Sequence, residues 1–153
     1  MESKIELTSM EAKPVLSVRV ATTIEDLPAL INDSYRRIAD YMAELGESPV
    51  GAPFAAYHRQ DAQSLDIELG VPVSGNLPGR DDIKAGETAS GDAVVYMHEG
   101  PYTDLKPVYQ KLFDWIGENG CTPKGLYYEY YFNSPGDVPE KNLVTRIVIP
   151  VEK

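Results

Sequence analysis

The sequence predicts an α+β fold: two βαββ units with pseudo-twofold symmetry, forming an antiparallel sheet with two helices. Three observations predict it. Strand, helix, strand and strand periodicities follow one another and then do so again. Residue matches recur in the same order in both halves. A polar stretch from Ser74 to Gly91, holding Gly75, Pro78, Gly79 and Gly86, lies between them as a loop.

Val15 to Val20 alternates β-branched and smaller residues and reads as a strand. Thr22, Thr23, Glu25 and Asp26 form a helix-start signature, and Pro28 is tolerated in a first turn. Leu27, Leu30, Ile31, Ile38, Met42 and Leu45 follow at helical spacing, and Gly46 is the stop. Phe54 to His58 and Leu65 to Val71 read as strands. In the second half Ala93 to His98 is a strand. Leu105, Val108, Tyr109, Leu112 and Ile116 line one face of a helix ending near Gly120. Leu126 to Phe132 and Leu143 to Ile149 are the last strands.

The halves match in residues as well as in pattern. Asp26-Leu27 corresponds to Asp104-Leu105. Gly46, Pro49 and Gly51 correspond to Gly120, Pro123 and Gly125 at constant spacing. Gly70-Val71-Pro72-Val73 corresponds to Val148-Ile149-Pro150-Val151. Two copies are too few for a solenoid. The expected organisation is one domain over residues 1–153, with repeat one at about 13–73, a linker at 74–91 and repeat two at about 92–151. Each helix covers one face of its own strands, so the groove where the halves meet is the expected ligand site.

Composition narrows the function. The chain has 153 residues, 42% of them hydrophobic, which suits a domain with a real core. Its net charge of -10 repels phosphate backbones, so direct nucleic-acid binding is not expected, while cations are attracted. Cys121 is the single cysteine, and no apolar run suits a signal peptide or a membrane span. A cytoplasmic location with no membrane association is expected.

The sharpest local feature is Leu126-Tyr127-Tyr128-Glu129-Tyr130-Tyr131-Phe132. Strand alternation puts Tyr127, Glu129 and Tyr131 on one face and Leu126, Tyr128, Tyr130 and Phe132 on the other. The second, more apolar set is expected to pack under the helix. The first sets a carboxylate between two phenols. A buried carboxylate costs several kcal/mol unless it is paired, and aromatic rings hold cations over their faces. The bland alternative is a solvated strand of ordinary β-formers. In the first half Ala55 corresponds to Glu129 and Tyr57 to Tyr131, giving room and a further wall. Glu68, with Asp66, faces the groove or solvent. Tyr96 and His98 share a face, Tyr102 follows in His98-Glu99-Gly100-Pro101-Tyr102, and Trp115 flanks the helical stripe. Core or surface roles compete with ligand contact for His98 and Trp115.

Other chemistries lack their residues. His58 and His98 are the only histidines and show no metal-ligand spacing with Cys121. No phosphate loop, dinucleotide fingerprint or nucleophile elbow occurs, so no cofactor is expected.

With these residues in view, the chain resembles the GyrI-like small-molecule-binding family, the effector-binding domains of bacterial multidrug-sensing regulators. Three stretches carry the likeness. One is His98-Glu99-Gly100-Pro101-Tyr102 with Leu105, Tyr109, Leu112 and Trp115. Another is Tyr128-Glu129-Tyr130-Tyr131 with Asn133, Pro135, Thr145, Ile147 and Pro150. The third is Asp66-Ile67-Glu68-Leu69-Gly70-Val71-Pro72-Val73. The resemblance implies the duplicated, SHS2-like βαββ fold, with Glu129 as the central carboxylate of a site in the groove between repeats. No helix-turn-helix pattern accompanies it, so a regulator's DNA contact is not expected of this sequence. Stand-alone relatives imply three roles: capture of lipophilic, often cationic compounds; hydrolysis of cyclopropanoid genotoxins, with Glu129 and Tyr131 as catalytic groups; or contact with a protein partner such as gyrase or a regulator.

Overall fold

A computed structural model describes residues 4–23, 25–60, 64–133 and 136–153. Pro135, one residue of the family likeness, lies outside them. The described residues form two α-helices and nine strands, and the strand pairings within each of the two units below are antiparallel. The chain divides into two compact units, residues 12–89 and residues 1–11 with 90–153.

The unit of residues 12–89 contains β2 (Pro14–Thr22), α1 (Leu27–Glu44), β3 (Phe54–Gln60), β4 (Leu65–Pro72) and β5 (Ile83–Glu87). Its strands lie in the order β3-β4-β2-β5. Helix α1 starts after Asp26 with proline in its first turn, where a missing N–H costs nothing. It ends at Glu44 with Leu45 as its cap, and Gly46 takes a φ of 72°, a left-handed stop that a side chain would resist. Its stripe of Ile38, Tyr41 and Met42 packs with Leu16, Val18, Val71, Val73 and Ile83. Strand β5 lies inside the stretch expected to be a loop. Ile83, 5% exposed, anchors it to the core, while the rest of its side chains are exposed. One apolar residue among turn formers is too weak a pattern to announce a strand.

The other unit adds β1 (Glu6–Met10) to β6 (Gly91–Glu99), α2 (Leu105–Glu118), β7 (Thr122–Pro123), β8 (Tyr127–Tyr131) and β9 (Val144–Glu152). The strand order is β1-β6-β9-β8, and β7 pairs with β9. The order β8-β9-β6 repeats β3-β4-β2, so both units are βαββ with the last strand in the middle. Leu112 and Ile116 of α2 pack on Val94, Ile147, Ile149 and Val151. Asn133 closes the turn after β8: its amide donates to the Asn142 carbonyl, and its side-chain oxygen accepts the Val144 N–H at 2.9 Å.

Register decides which face α2 covers. Glu129 pairs with Ile147, and Tyr131 with Thr145. Ile147 belongs to the core beneath α2, so Tyr127, Glu129 and Tyr131 lie on the helix side. The expected packing of Leu126, Tyr128, Tyr130 and Phe132 under the helix is therefore corrected. The cause is β9, whose other face carries Arg146. That residue pairs with Tyr130 and sets its guanidinium over the Tyr130 ring, 6.0 Å from the centroid. A charged residue kept off the helix interface holds its neighbours off it too. Phe132 lies past the end of β8 and is 53% exposed.

Candidate functional site around Glu129

The Glu129 carboxylate is only 7% exposed. Two phenols donate to it, one to each oxygen. Tyr109 Oη, from α2, lies 2.5 Å from Oε2, and Tyr131 Oη, two residues along β8, lies 2.7 Å from Oε1. Among the described residues no lysine, arginine or histidine pairs with it. Hydrogen bonds from hydroxyl to carboxylate are short and strong, which keeps the buried acid in place without a countercharge.

Aromatic rings surround this acid. The Tyr109 and Tyr127 rings lie 5.0 Å apart, and Phe113, one turn along α2, stacks on Tyr109 at 6.3 Å. Tyr102 stands edge-on to Tyr131 at 6.0 Å. Burial, reinforced by the negative charge of Glu129, pushes the Tyr127 phenol up to about 12 and raises Tyr102 by the same two causes. Both phenols therefore stay neutral at any ordinary pH. The cluster is one acid in an aromatic wall of neutral donors.

Four of the sequence candidates, Glu129, Tyr127, Tyr131 and Tyr102, thus come together. Tyr109 is the member that the candidate set lacked. Helical spacing places it in the apolar stripe, and only the need of a buried phenol for a partner hints at more. Tyr96 shares the helix-side face, in the row Glu129–Ile147–Tyr96. The Lys111 ammonium lies 5.3 Å from its ring centroid, so a cation of the chain itself occupies that ring. His98 ends the next row, Tyr131–Thr145–His98, and its Nε2 lies 3.2 Å from the Pro101 carbonyl. Trp115 packs at the margin of the core beneath α2 and makes no ring contact with the tyrosine cluster.

The remaining candidates belong to the unit of residues 12–89. Ala55, fully buried, pairs with Leu69, and Tyr57 pairs with Ile67, both on the helix side of their sheet. Glu68 lies on the opposite face and is held from two sides. Ser17 Oγ donates to Oε2 at 2.6 Å, and His58 Nε2 lies 2.9 Å from Oε1. Asp66 pairs beside it with Arg19 at 2.8 Å. Among the described residues no group of three or more histidines, cysteines or acids stands together as a metal site. Among the described residues no helix is long and apolar enough to cross a membrane.

No curated protein matches the chain. The C-terminal domain of EcmrR superposes with a TM-score of 0.82 at 22% identity, covering 100% of this chain and 99% of that one. In a cryo-EM structure of EcmrR with DNA the TM-score is 0.84 at 22% identity, and this chain spans 58% of that chain's length. A protein from Listeria innocua described as a hydrolase gives 0.73 at 15% identity, covering 97% and 92% of the two chains. SAV2435, solved bound to tetraphenylphosphonium, gives 0.68 at 12%, covering 97% and 94%. At these identities the likeness establishes the fold alone. The sequence profile of the GyrI-like small molecule binding domain matches residues 3–152, nearly the whole chain, and the chain belongs to that family.

Proposed function

We propose that this chain binds lipophilic cations, with Glu129 as the counter-charge and Tyr102, Tyr109, Tyr127 and Tyr131 as the aromatic wall. One observation carries the reading: a carboxylate 7% exposed is held by two phenols and by no cation among the described residues. Phenol donors satisfy its lone pairs and leave its charge uncancelled. A bound cation cancels that charge in a low-dielectric surrounding, where the attraction is far stronger than in water. Tyrosine faces add about 0.5–2 kcal/mol each. The net charge of -10 draws cations toward the protein from a distance. The binding of tetraphenylphosphonium by SAV2435 points the same way.

A matched pair of ions tests the reading. Tetraphenylphosphonium and tetraphenylborate have nearly the same shape and opposite charge. The cation is expected to bind in a fluorescence or calorimetric titration and the anion is not. Equal binding of the two would refute a charge-based site.

A second reading uses the same groups. The Tyr131 hydroxyl donates to Glu129 at 2.7 Å, so an acid and a base stand within hydrogen-bond reach. With a cyclopropanoid electrophile, water adds to a ring carbon while Glu129 takes its proton. The strained C–C bond breaks, and its electron pair, held by a conjugated acceptor, receives the Tyr131 proton. The hydrolase description of the Listeria neighbour motivates the test. Appearance of the hydroxylated ring-opened product above the buffer rate supports it, and its absence removes it.

A further inference from the structure

The row Tyr131–Thr145–His98 runs across β8, β9 and β6 on the helix-side face, next to the row that holds Glu129. Its middle member is unusual. Thr145 is fully buried, and its Oγ1 finds no hydrogen-bond partner among the described residues. An orphaned buried hydroxyl is costly, because it gives up its water partners and gains none in return. The fold does not require it. In the other repeat the corresponding places, matched through Pro72 and Pro150, hold Val20 and Ile67, and the scaffold there is built with apolar side chains. This repeat has two polar residues where its copy has none.

The neighbouring histidine has a defined tautomer. A carbonyl only accepts, so His98 Nε2 carries the proton it gives to Pro101. In the neutral ring Nδ1 is then an acceptor. The row thus contains a hydroxyl, which donates and accepts, and an imidazole whose second nitrogen accepts. Thr145 is diagonal to Glu129 across the β8–β9 pair, a separation of about 7–8 Å between strand positions. One drug-sized molecule spans that distance.

We propose that Thr145 is a hydrogen-bonding subsite beside the Glu129 site, so that the favoured ligand is a lipophilic cation that also carries a hydroxyl or amide group. This rests on the cation-binding reading of Glu129. The orphan hydroxyl is satisfied by the ligand rather than by the protein, and the stability it costs the free protein returns as selectivity on binding. Because Thr145 is covered, the ligand's group displaces part of the wall. Tyr102, edge-on to Tyr131 and 39% exposed, is the part of that wall nearest solvent.

The test compares tetraphenylphosphonium with its 3-hydroxyphenyl and 4-hydroxyphenyl analogues on the whole chain. The wild type is expected to bind one hydroxylated analogue about fivefold more tightly than the parent. Thr145→Val removes only the hydroxyl. It is expected to abolish that preference, to leave parent affinity within about twofold, and to melt no lower than the wild type. Thr145→Ser keeps the hydroxyl and is expected to keep the preference. Equal affinities for parent and analogues in the wild type, or a preference that survives Thr145→Val, would overturn the subsite while leaving the cation site standing. If the parent does not bind, or binds Glu129→Gln as well as wild type, the cation reading fails and the subsite falls with it.

Discussion

Tyr109 and Tyr35 each lie eleven residues before the glycine that ends their helix, and the two phenols show what the second repeat changed. Tyr35 donates to the backbone carbonyl of Phe54 at 2.5 Å, a purely structural bond. Tyr109 donates to Glu129, in the place where the first repeat has buried Ala55. The acid occupies the position that lies within reach of this phenol. Replacing Tyr109 with Phe leaves a buried charge short of one donor. It is expected to cost about 2 kcal/mol, read as a lower denaturant midpoint at unchanged slope. Tyr127 offers a second check. Its phenol sits at about 12 against an ordinary 10.0, because burial and the Glu129 charge disfavour phenolate. A proton bound more tightly in the folded state gives stability that is fully present below pH 10. That stability is lost as the pH rises from 10.0 toward about 12. The ultraviolet phenolate titration should show a late component that shrinks in Tyr127→Phe, with Tyr102 also titrating late. The acid and three of its four tyrosines were legible from alternation and composition. Tyr109 was not, because a tyrosine in a helical stripe looks like core until its hydroxyl is given a partner.

At the scale of elements, both helices and the strands of each βαββ repeat were legible from periodicity and stop signals, and β1, β5 and β7 were not. Strands β1 and β5 are edge strands whose exposed side chains carry almost no pattern. The choice of face for β8 also escaped the sequence. Its five residues are four tyrosines and one acid, so tyrosines stand on both faces, and the deciding residue, Arg146, sits on the partner strand. Register, which sequence periodicity leaves open, made that decision. Strand β4 supplies a prediction of its own. A Cβ on Gly70 would lie 2.7 Å from the Leu16 carbonyl oxygen and 2.9 Å from Phe54 Cζ, so β2 and β3 close directly over it. Gly70→Ala is expected to destabilise by about 1–3 kcal/mol. Gly86→Ala, on edge strand β5 with nothing within 4 Å of its new methyl, should be nearly silent in the same melting experiment.

For the molecule as a whole, duplication explains why one scaffold carries two kinds of interior. Residues 12–89 hold Ala55, Ile67 and Val20 at the strand positions where residues 90–153 put Glu129, Thr145 and His98. The excess of acids acts at longer range. Association of a cationic probe is expected to slow as salt rises, because the Debye length shrinks to about 10 Å at 0.1 M, while an uncharged aromatic probe should show no such trend. The most direct measurement is a calorimetric titration of tetraphenylphosphonium into the wild type and Glu129→Gln. The variant keeps the shape and removes the charge, and one of the two accepting oxygens becomes an amide that donates to its phenol instead. Affinity is expected to fall at least tenfold, about 1.4 kcal/mol, with folding intact. Equal affinity in a folded Glu129→Gln protein would contradict charge-based binding at Glu129.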